Sequence, residues 1–233
     1  GGLLLATDKG ALLAYNLDAL AGSELWEHET TPVIHPAGTS RTTAKPAYSL
    51  AVGRQHVYCA HDAGVDCFQI HDVEAMITGE ARTAPVQSTL PAPQRKRMRG
   101  AVDPVPEINA VCTHAKLPGR LFAGTGDGRA IVWDTERCCI LSELDGHRNK
   151  AAVMTVAYSS KHSLLASGGA DGVVRVWDIR SAKEVSHHAL AATEGMEARE
   201  GSGRASRKRS RSRAVDVVTS LEFDEDENWM VWG

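Results

Sequence analysis

Two stretches 44 residues apart carry one pattern: Arg120–Asp134 (RLFAGTGDGRAIVWD) and Leu164–Asp178 (LLASGGADGVVRVWD). Aligned without gaps, Asp127 falls on Asp171, Gly128 on Gly172, Trp133 on Trp177 and Asp134 on Asp178. A small unit repeated at this distance cannot bury its own apolar faces. It must stack on neighbouring copies, which restricts the chain to a repeat architecture. Each copy reads as an apolar run, a tight turn around Asp-Gly and a β-branched run. That is a pair of antiparallel strands, not a helix.

A period of about 40–45 residues, a terminal Trp-Asp and a Gly-His between copies (Gly146-His147) mark a WD-repeat propeller blade. In the best copy, Cys138–Leu144 is an outer strand and Val153–Tyr158 the innermost strand of the next blade. Leu164–Ser167 and Val173–Trp177 follow as second and third strands. The third strand is nearly all apolar, as a strand covered on both faces should be. Weaker copies are Leu3–Tyr15, with Gly10 at the turn and Tyr15 at the Trp position, and Val57–Phe68, with Asp62 at the turn and Phe68 at the aromatic position. Val217–Gly233 reads as an inner strand, an acidic turn over Asp224–Asn228 and the start of a second strand. The expected fold is all-β: a partial WD-repeat β-propeller over residues 1–233, of about four blade periods, cut at both ends and so exposing two apolar blade faces.

The 233-residue chain has 26 basic and 29 acidic residues, but the charges are segregated. Gln94–Arg99 holds four basic residues and Ala205–Arg213 five. Without those nine, 17 basic residues face 29 acidic ones, a balance near −12. The ordered body is therefore expected to be acidic, which argues against a broad phosphate-binding surface. Arg82–Pro106 is rich in proline, and Ala191–Arg213 in Gly, Ser, Glu and Arg. Both are expected as flexible insertions, at 82–106 and 191–213, because neither offers enough apolar surface to offset the entropy of ordering. Five cysteines, an odd number without a Cys-x-x-Cys, argue for reduced thiols in a cytosolic or nuclear compartment. Apolar runs are too short to span a membrane, and no signal-peptide pattern is present.

His147, Ser167 and Asp171 have the residue types of a hydrolase triad. A structural role explains them better: with Trp177 they make the buried hydrogen-bond set of a WD blade, and no nucleophile elbow accompanies them. The upstream copy has Ala123 where Ser167 falls and Asp103 where His147 falls, so its network should be broken. The histidines lack metal-ligand spacing, and the glycine turns GTGDG and GGADG lack the Lys-Ser/Thr and helix of a phosphate loop. The expectation is no cofactor, no metal and no catalysis.

Two features point outward. Arg207, Lys208, Arg209, Arg211 and Arg213 form a nuclear import signal, a nonspecific RNA-contacting arm or a solvated loop, and Ser206, Ser210 and Ser212 offer phosphorylation sites beside them. No interleaved aromatic residue is there to stack on bases. Trp177-Asp178-Ile179-Arg180 resembles the box by which WD-repeat receptors dock onto the adaptor of cullin-based ubiquitin ligases, with Asp178 and Arg180 as candidate contacts.

Val105–Ala110 (VPEINA), Ser167–Asp178 (SGGADGVVRVWD), Arg180–Val185 (RSAKEV) and Asn228–Val231 (NWMV) together resemble the THO complex subunit 6 family, in that family's order and at compatible spacing. Leu3–Leu20 resembles its opening blade. The resemblance implies a seven-bladed WD-repeat propeller in the nuclear THO/TREX assembly, which couples transcription and processing to messenger RNA export. It implies a noncatalytic scaffold that contacts other THO/TREX subunits and helps the complex form higher-order oligomers. RNA contact would then be indirect or through the basic loop, with no membrane association. The alternative is a substrate receptor of a cullin-based ubiquitin ligase docking through residues 177–180.

Overall fold

The computed structural model describes residues 1–18, 35–94, 104–189, 217–228 and 230–233. They form seventeen strands and one α-helix, arranged as antiparallel sheets of consecutive strands. The first sheet joins β1 (Gly2–Ala6), β2 (Ala11–Asn16) and β3 (Gly38–Arg41). Three complete four-stranded blades follow. The first is β4 (Ala47–Val52), β5 (His56–His61), β6 (Gly64–Gln69) and β7 (Val86–Pro91). The second is β8 (Ile108–Cys112), β9 (Arg120–Thr125), β10 (Arg129–Asp134) and β11 (Cys139–Asp145). The third is β12 (Val153–Ser159), β13 (Leu164–Gly169), β14 (Val173–Asp178) and β15 (Lys183–Ala189). A hairpin of β16 (Leu221–Phe223) and β17 (Met230–Trp232) ends the order. We number these sheets blades 1 to 5. Among the described residues no sheet closes on itself.

The core lies between blades, not inside one. Innermost strands pack in series, β4 on β8, β8 on β12 and β12 on β16. Middle strands are buried along nearly their whole length, and β10 is buried at all six positions. Outer strands β11 and β15 are mostly exposed and polar. Alternate residues of a middle strand serve opposite neighbours. Ile131 and Trp133 of β10 pack with Tyr58, Val65 and Leu90 of blade 2, while Ala130 and Val132 pack with Val156, Leu165 and Trp177 of blade 4. Phe68, Trp133 and Trp177 occupy one recurrent place, each against the preceding blade. Burying about 150–250 Å² per aromatic ring contributes roughly 4–6 kcal/mol each, as an upper bound.

Two glycines let blades approach. A Cβ on Gly124 would lie 2.5 Å from Val153 Cγ1, and one on Gly168 2.4 Å from Val218 Cγ1. These positions correspond in the repeat, and each faces the inner segment of the next blade. Gly128 and Gly172, at φ +86° and +70°, make the tight turns predicted at Asp-Gly.

The WD-repeat blade architecture expected from the sequence is the one observed. Boundaries in blade 4 agree within one or two residues, and Tyr15 in β2 and Phe68 in β6 each stand one residue before the strand's end. The insertion expected at 82–106 needs correction over its first part. Val86–Pro91 forms β7, paired with β6 throughout, and Leu90 is fully buried. The prolines misdirect the reading because β7 is an edge strand, where a missing N–H sacrifices no ladder bond. Residues 95–103, and the whole insertion expected at 191–213, lie outside the described residues. The helix α1 (Ile70–Thr78) was not foreseen. It lies in the β6–β7 connection and packs Val73 and Met76 onto blades 1 and 2, ending at Gly79 with φ +83°.

Candidate functional site

The predicted set His147, Ser167, Asp171 and Trp177 is assembled in blade 4 as one directed chain of hydrogen bonds. The Trp177 indole N–H donates to Ser167 Oγ at 2.9 Å. Ser167 Oγ lies 2.9 Å from His147 Nε2, and His147 Nδ1 lies 2.9 Å from Asp171 Oδ1. The backbone N–H of Arg148 donates to Asp171 Oδ2 at 3.0 Å. An ionised Asp171 only accepts, so His147 Nδ1 carries the proton and Nε2 accepts from the Ser167 hydroxyl. Burial lowers the His147 pKa, against the raising influence of Asp171, and so favours the neutral imidazole this chain of bonds needs. Burial alone would raise the Asp171 carboxyl; the bonds from His147 and the Arg148 amide reverse that and hold it below its ordinary value. Ser167 is fully buried and already bonded on both sides, so no substrate reaches it. The set pins the β11–β12 connection to strands β13 and β14.

Blades 2 and 3 reach the same end with different residues, which the sequence reading missed. In blade 3, Ala123 offers no hydroxyl to Trp133, as expected; the Asp103 half of that expectation lies outside the described residues. Arg129 organises this blade instead. It is buried, bonded to both carboxylate oxygens of Asp127 through Nε at 3.1 Å, to Glu143 at 2.5 Å and to the Pro93 carbonyl at 2.6 Å. In blade 2, Cys59 and Phe68 stand where Ser167 and Trp177 stand in blade 4. There the fully buried Asp66 accepts from the hydroxyls of Thr43 (2.8 Å) and Thr89 (2.7 Å) and from the Thr43 N–H. His61 Nε2 lies 3.3 Å from the same carboxylate. Burial would raise the Asp66 pKa, but the bonds from His61, Thr89 and Thr43 prevail and lower it.

Asp178 and Arg180 adjoin, yet they do different things. Asp178 Oδ1 accepts from the Arg180 N–H at 2.9 Å and Oδ2 from the Ser181 hydroxyl at 3.0 Å, which shapes the β14–β15 turn. Asp134 holds the corresponding turn of blade 3 through the N–H groups of Glu136 and Arg137. The Arg180 side chain is 75% exposed, with Nε 3.7 Å from Asp178 Oδ1. Arg207, Lys208, Arg209, Arg211 and Arg213 lie outside the described residues.

A cleft of about 450 Å³ opens where the inner strands β8, β12 and β16 end, lined by Cys112, His114, Tyr158, Phe223 and Glu227 among others. Tyr158 stacks on Phe122 at 4.5 Å and takes the edge of His114 at 5.5 Å. Burial would raise the Glu227 carboxyl, but bonds donated by Lys161, Ser159 and Ser160 overcome it and bring it down to about 2. Nothing in the local sequence announces this contact, because its donors lie 66 to 68 residues away. Among the described residues, no three His, Cys, Asp or Glu side chains converge as a metal site would require. No helix there is long and apolar enough to cross a membrane.

Residues 138–178 match the family model of the WD domain, G-beta repeat. The chain is 32% identical over 141 residues to THO complex subunit 6 of Arabidopsis thaliana, covering 60% of this chain and 32% of that protein. It is 28% identical over 185 residues to THO complex subunit 6 of Homo sapiens, covering 78% of this chain and 48% of that protein. The chain thus spans about a third to a half of the relatives it matches. Among solved structures, a chain in a crystal structure of the mitotic checkpoint complex superposes with a TM-score of 0.53 at 16% identity, over 80% of this chain and 43% of that one. That likeness concerns the fold alone.

Proposed function

We infer that this chain, which carries a WD repeat and is similar to THO complex subunit 6, is a noncatalytic scaffold of the nuclear THO/TREX assembly in messenger RNA processing and export. The observation that carries the reading is the similarity to THO complex subunit 6, which reaches 78% of the chain and runs well beyond the single matched WD repeat. The geometry is compatible with it. In blade 4 the Ser167 hydroxyl and His147 imidazole, which would suit catalysis, are buried and bonded to each other, with Asp171 bonded to the imidazole. The chain's partners are then other THO/TREX subunits, its location is the nucleus, and any RNA contact runs through the assembly or the basic segment 205–213. Affinity purification of the tagged protein from nuclear extract tests this. THO and export factors should co-purify, and their consistent absence would reject the assignment.

A second reading is a substrate receptor of a cullin-based ubiquitin ligase. The exposure of Arg180 beside a turn fixed by Asp178 favours it. Under this reading an Arg180→Ala variant loses the ligase adaptor while keeping its fold. A variant that retains every partner would leave Arg180 as an ordinary solvated residue.

A further inference from the structure

Three innermost strands begin with the same irregularity. Ala47 faces His61 across the β4–β5 ladder and Ser49 faces Ala60, so Tyr48 is left over as a β-bulge. Asn109 is left over in the same way between β8 and β9, and Met154 between β12 and β13. These are corresponding positions of blades 2, 3 and 4. A bulge gives up ladder pairing and re-aims the side chain it carries, and bulges concentrate at rims and beside functional sites. Tyr48 is 44% and Met154 37% exposed. The strands that carry them are tied to one another. The Val111 N–H donates to Ser49 Oγ at 3.2 Å, and Asn109 Nδ2 donates to the Val153 carbonyl at 3.3 Å.

Negative charge gathers at the Tyr48 end of this row. The Tyr48 hydroxyl donates to Asp62 Oδ1, in the β5–β6 turn, at 2.6 Å. Glu107, the residue before β8, is exposed. Its carboxylate lies against Gly126, where a Cβ would come within 2.4 Å of Glu107 Cδ. The hydrogen bond to Asp62, desolvation and the charges of Asp62 and Glu107 push the Tyr48 phenol up to about 12, so both carboxylates act on this one ring. The row lies inside the fold. Tyr48 feels the blade 3 residue Glu107, and β8 and β12 each pack between two other innermost strands.

We propose that this row docks a basic segment of a partner protein, with a lysine or arginine head over the Tyr48 ring beside Asp62 and Glu107, and the segment running on across Asn109 to Met154. The chemistry selects this occupant. An exposed aromatic face and two carboxylates attract a cation, which neither a neutral nor an acidic segment supplies. Asn109 stands next in line as a polar contact, and Met154 offers an adaptable apolar one for a neighbouring stem. The same charges repel phosphate, so nucleic acid is not the ligand of this row. The docking goes beyond the scaffold reading and holds whichever assembly the chain serves.

The test uses the full chain and a labelled hexalysine peptide, followed by fluorescence anisotropy at physiological ionic strength. Asp62→Asn with Glu107→Gln should weaken binding about fivefold or more, since two exposed ion pairs are lost. Tyr48→Leu should weaken it about threefold, as expected for one exposed cation–ring contact. Glu80→Gln with Glu136→Gln removes the same charge elsewhere and should change it by less than about twofold, because distant charges are screened. In the parent, saturating peptide should slow amide hydrogen exchange over residues 47–50, 107–111 and 153–155 and leave β15 unchanged. A control pair that weakens binding as much as the Asp62 and Glu107 pair shows attraction to net charge alone and overturns the proposal, as does unchanged binding by Tyr48→Leu. Binding that appears only after Arg95, Lys96, Arg97 and Arg99 are replaced by serine names the chain's own basic run as the occupant and overturns it too. Should a variant fail to fold, the exchange experiment on the parent decides, and no protection of those residues rejects the proposal.

Discussion

Ser167→Ala is the smallest change that should unfasten a blade. The side chain has no exposed surface and makes two hydrogen bonds of 2.9 Å, accepting from Trp177 and donating to His147. Alanine fits the space, so packing changes little. What changes is that a buried indole N–H and a buried imidazole nitrogen lose their partner. Each such orphan costs about 1–3 kcal/mol, so the variant should lose about 2–6 kcal/mol. That is a large part of the roughly 5–15 kcal/mol that holds an ordinary domain together. Because repeat blades open partly independently, the loss should concentrate in β13 and β14. Native-state hydrogen exchange over 164–178 is therefore the assay, with urea unfolding by tryptophan fluorescence as the global measure. Adding Trp177→Phe removes one orphan, so the double variant should be less destabilised than the sum of its singles, by about 1 kcal/mol. Blade 2 already carries such a pairing, Phe68 beside Cys59. If opening in β13–β14 becomes easier by less than about 0.5 kcal/mol, the range of an ordinary surface substitution, the pinning role is refuted.

Three further outcomes follow from the same geometry. The His147 pKa is lowered on folding and that of Asp171 is lowered too, so the unfolded chain binds more protons at mildly acid pH. Their contribution is complete above the unfolded histidine pKa near 6.5 and declines as pH falls below it, so Tm should drop between pH 8 and pH 5.5 and the drop should shrink in His147→Gln. Gly168→Ala places a Cβ 2.4 Å from Val218 and should destabilise by about 1–3 kcal/mol, read as faster exchange in β16 with blade 2 unaffected. Asp66→Asn turns the sole acceptor of three strong bonds into a group that also donates, and should loosen the β3–β4 connection by about 3–5 kcal/mol, measured by exchange of residues 40–47. A Tm within a degree of the parent would contradict that estimate.

Blade 4 was legible in the sequence because every rule agrees there: apolar middle strands, a glycine turn, and the full set from His147 to Trp177. Strands β3, β7 and β15 were not, because an outer strand needs only one covered face and reads as polar loop; β15 is KEVSHHA and has no buried residue. Helix α1 is an insertion between strands and obeys no repeat. The buried charges were hardest to see. Asp66 and Arg129 sit inside strand patterns where a charge looks misplaced, and only the assembled neighbours reveal their partners. Asp178 was legible as the end of a strand, and its geometry gives it a turn to shape; Arg180 was legible only as a surface cation.

The fastening of each blade by its own polar set affects how such chains are counted. Residues 138–178, which match the WD repeat, contain the set from His147 to Trp177, while the described residues form three full blades and parts of two more. Blade 3 keeps Asp127 and Trp133-Asp134 but has Ala123 at the serine position, and blade 2 has Cys59 and Phe68, yet both stack as blade 4 does. A census of repeats in distant relatives is better taken from the aromatic residue near the end of each third strand, as at Phe68, Trp133 and Trp177, than from Trp-Asp itself.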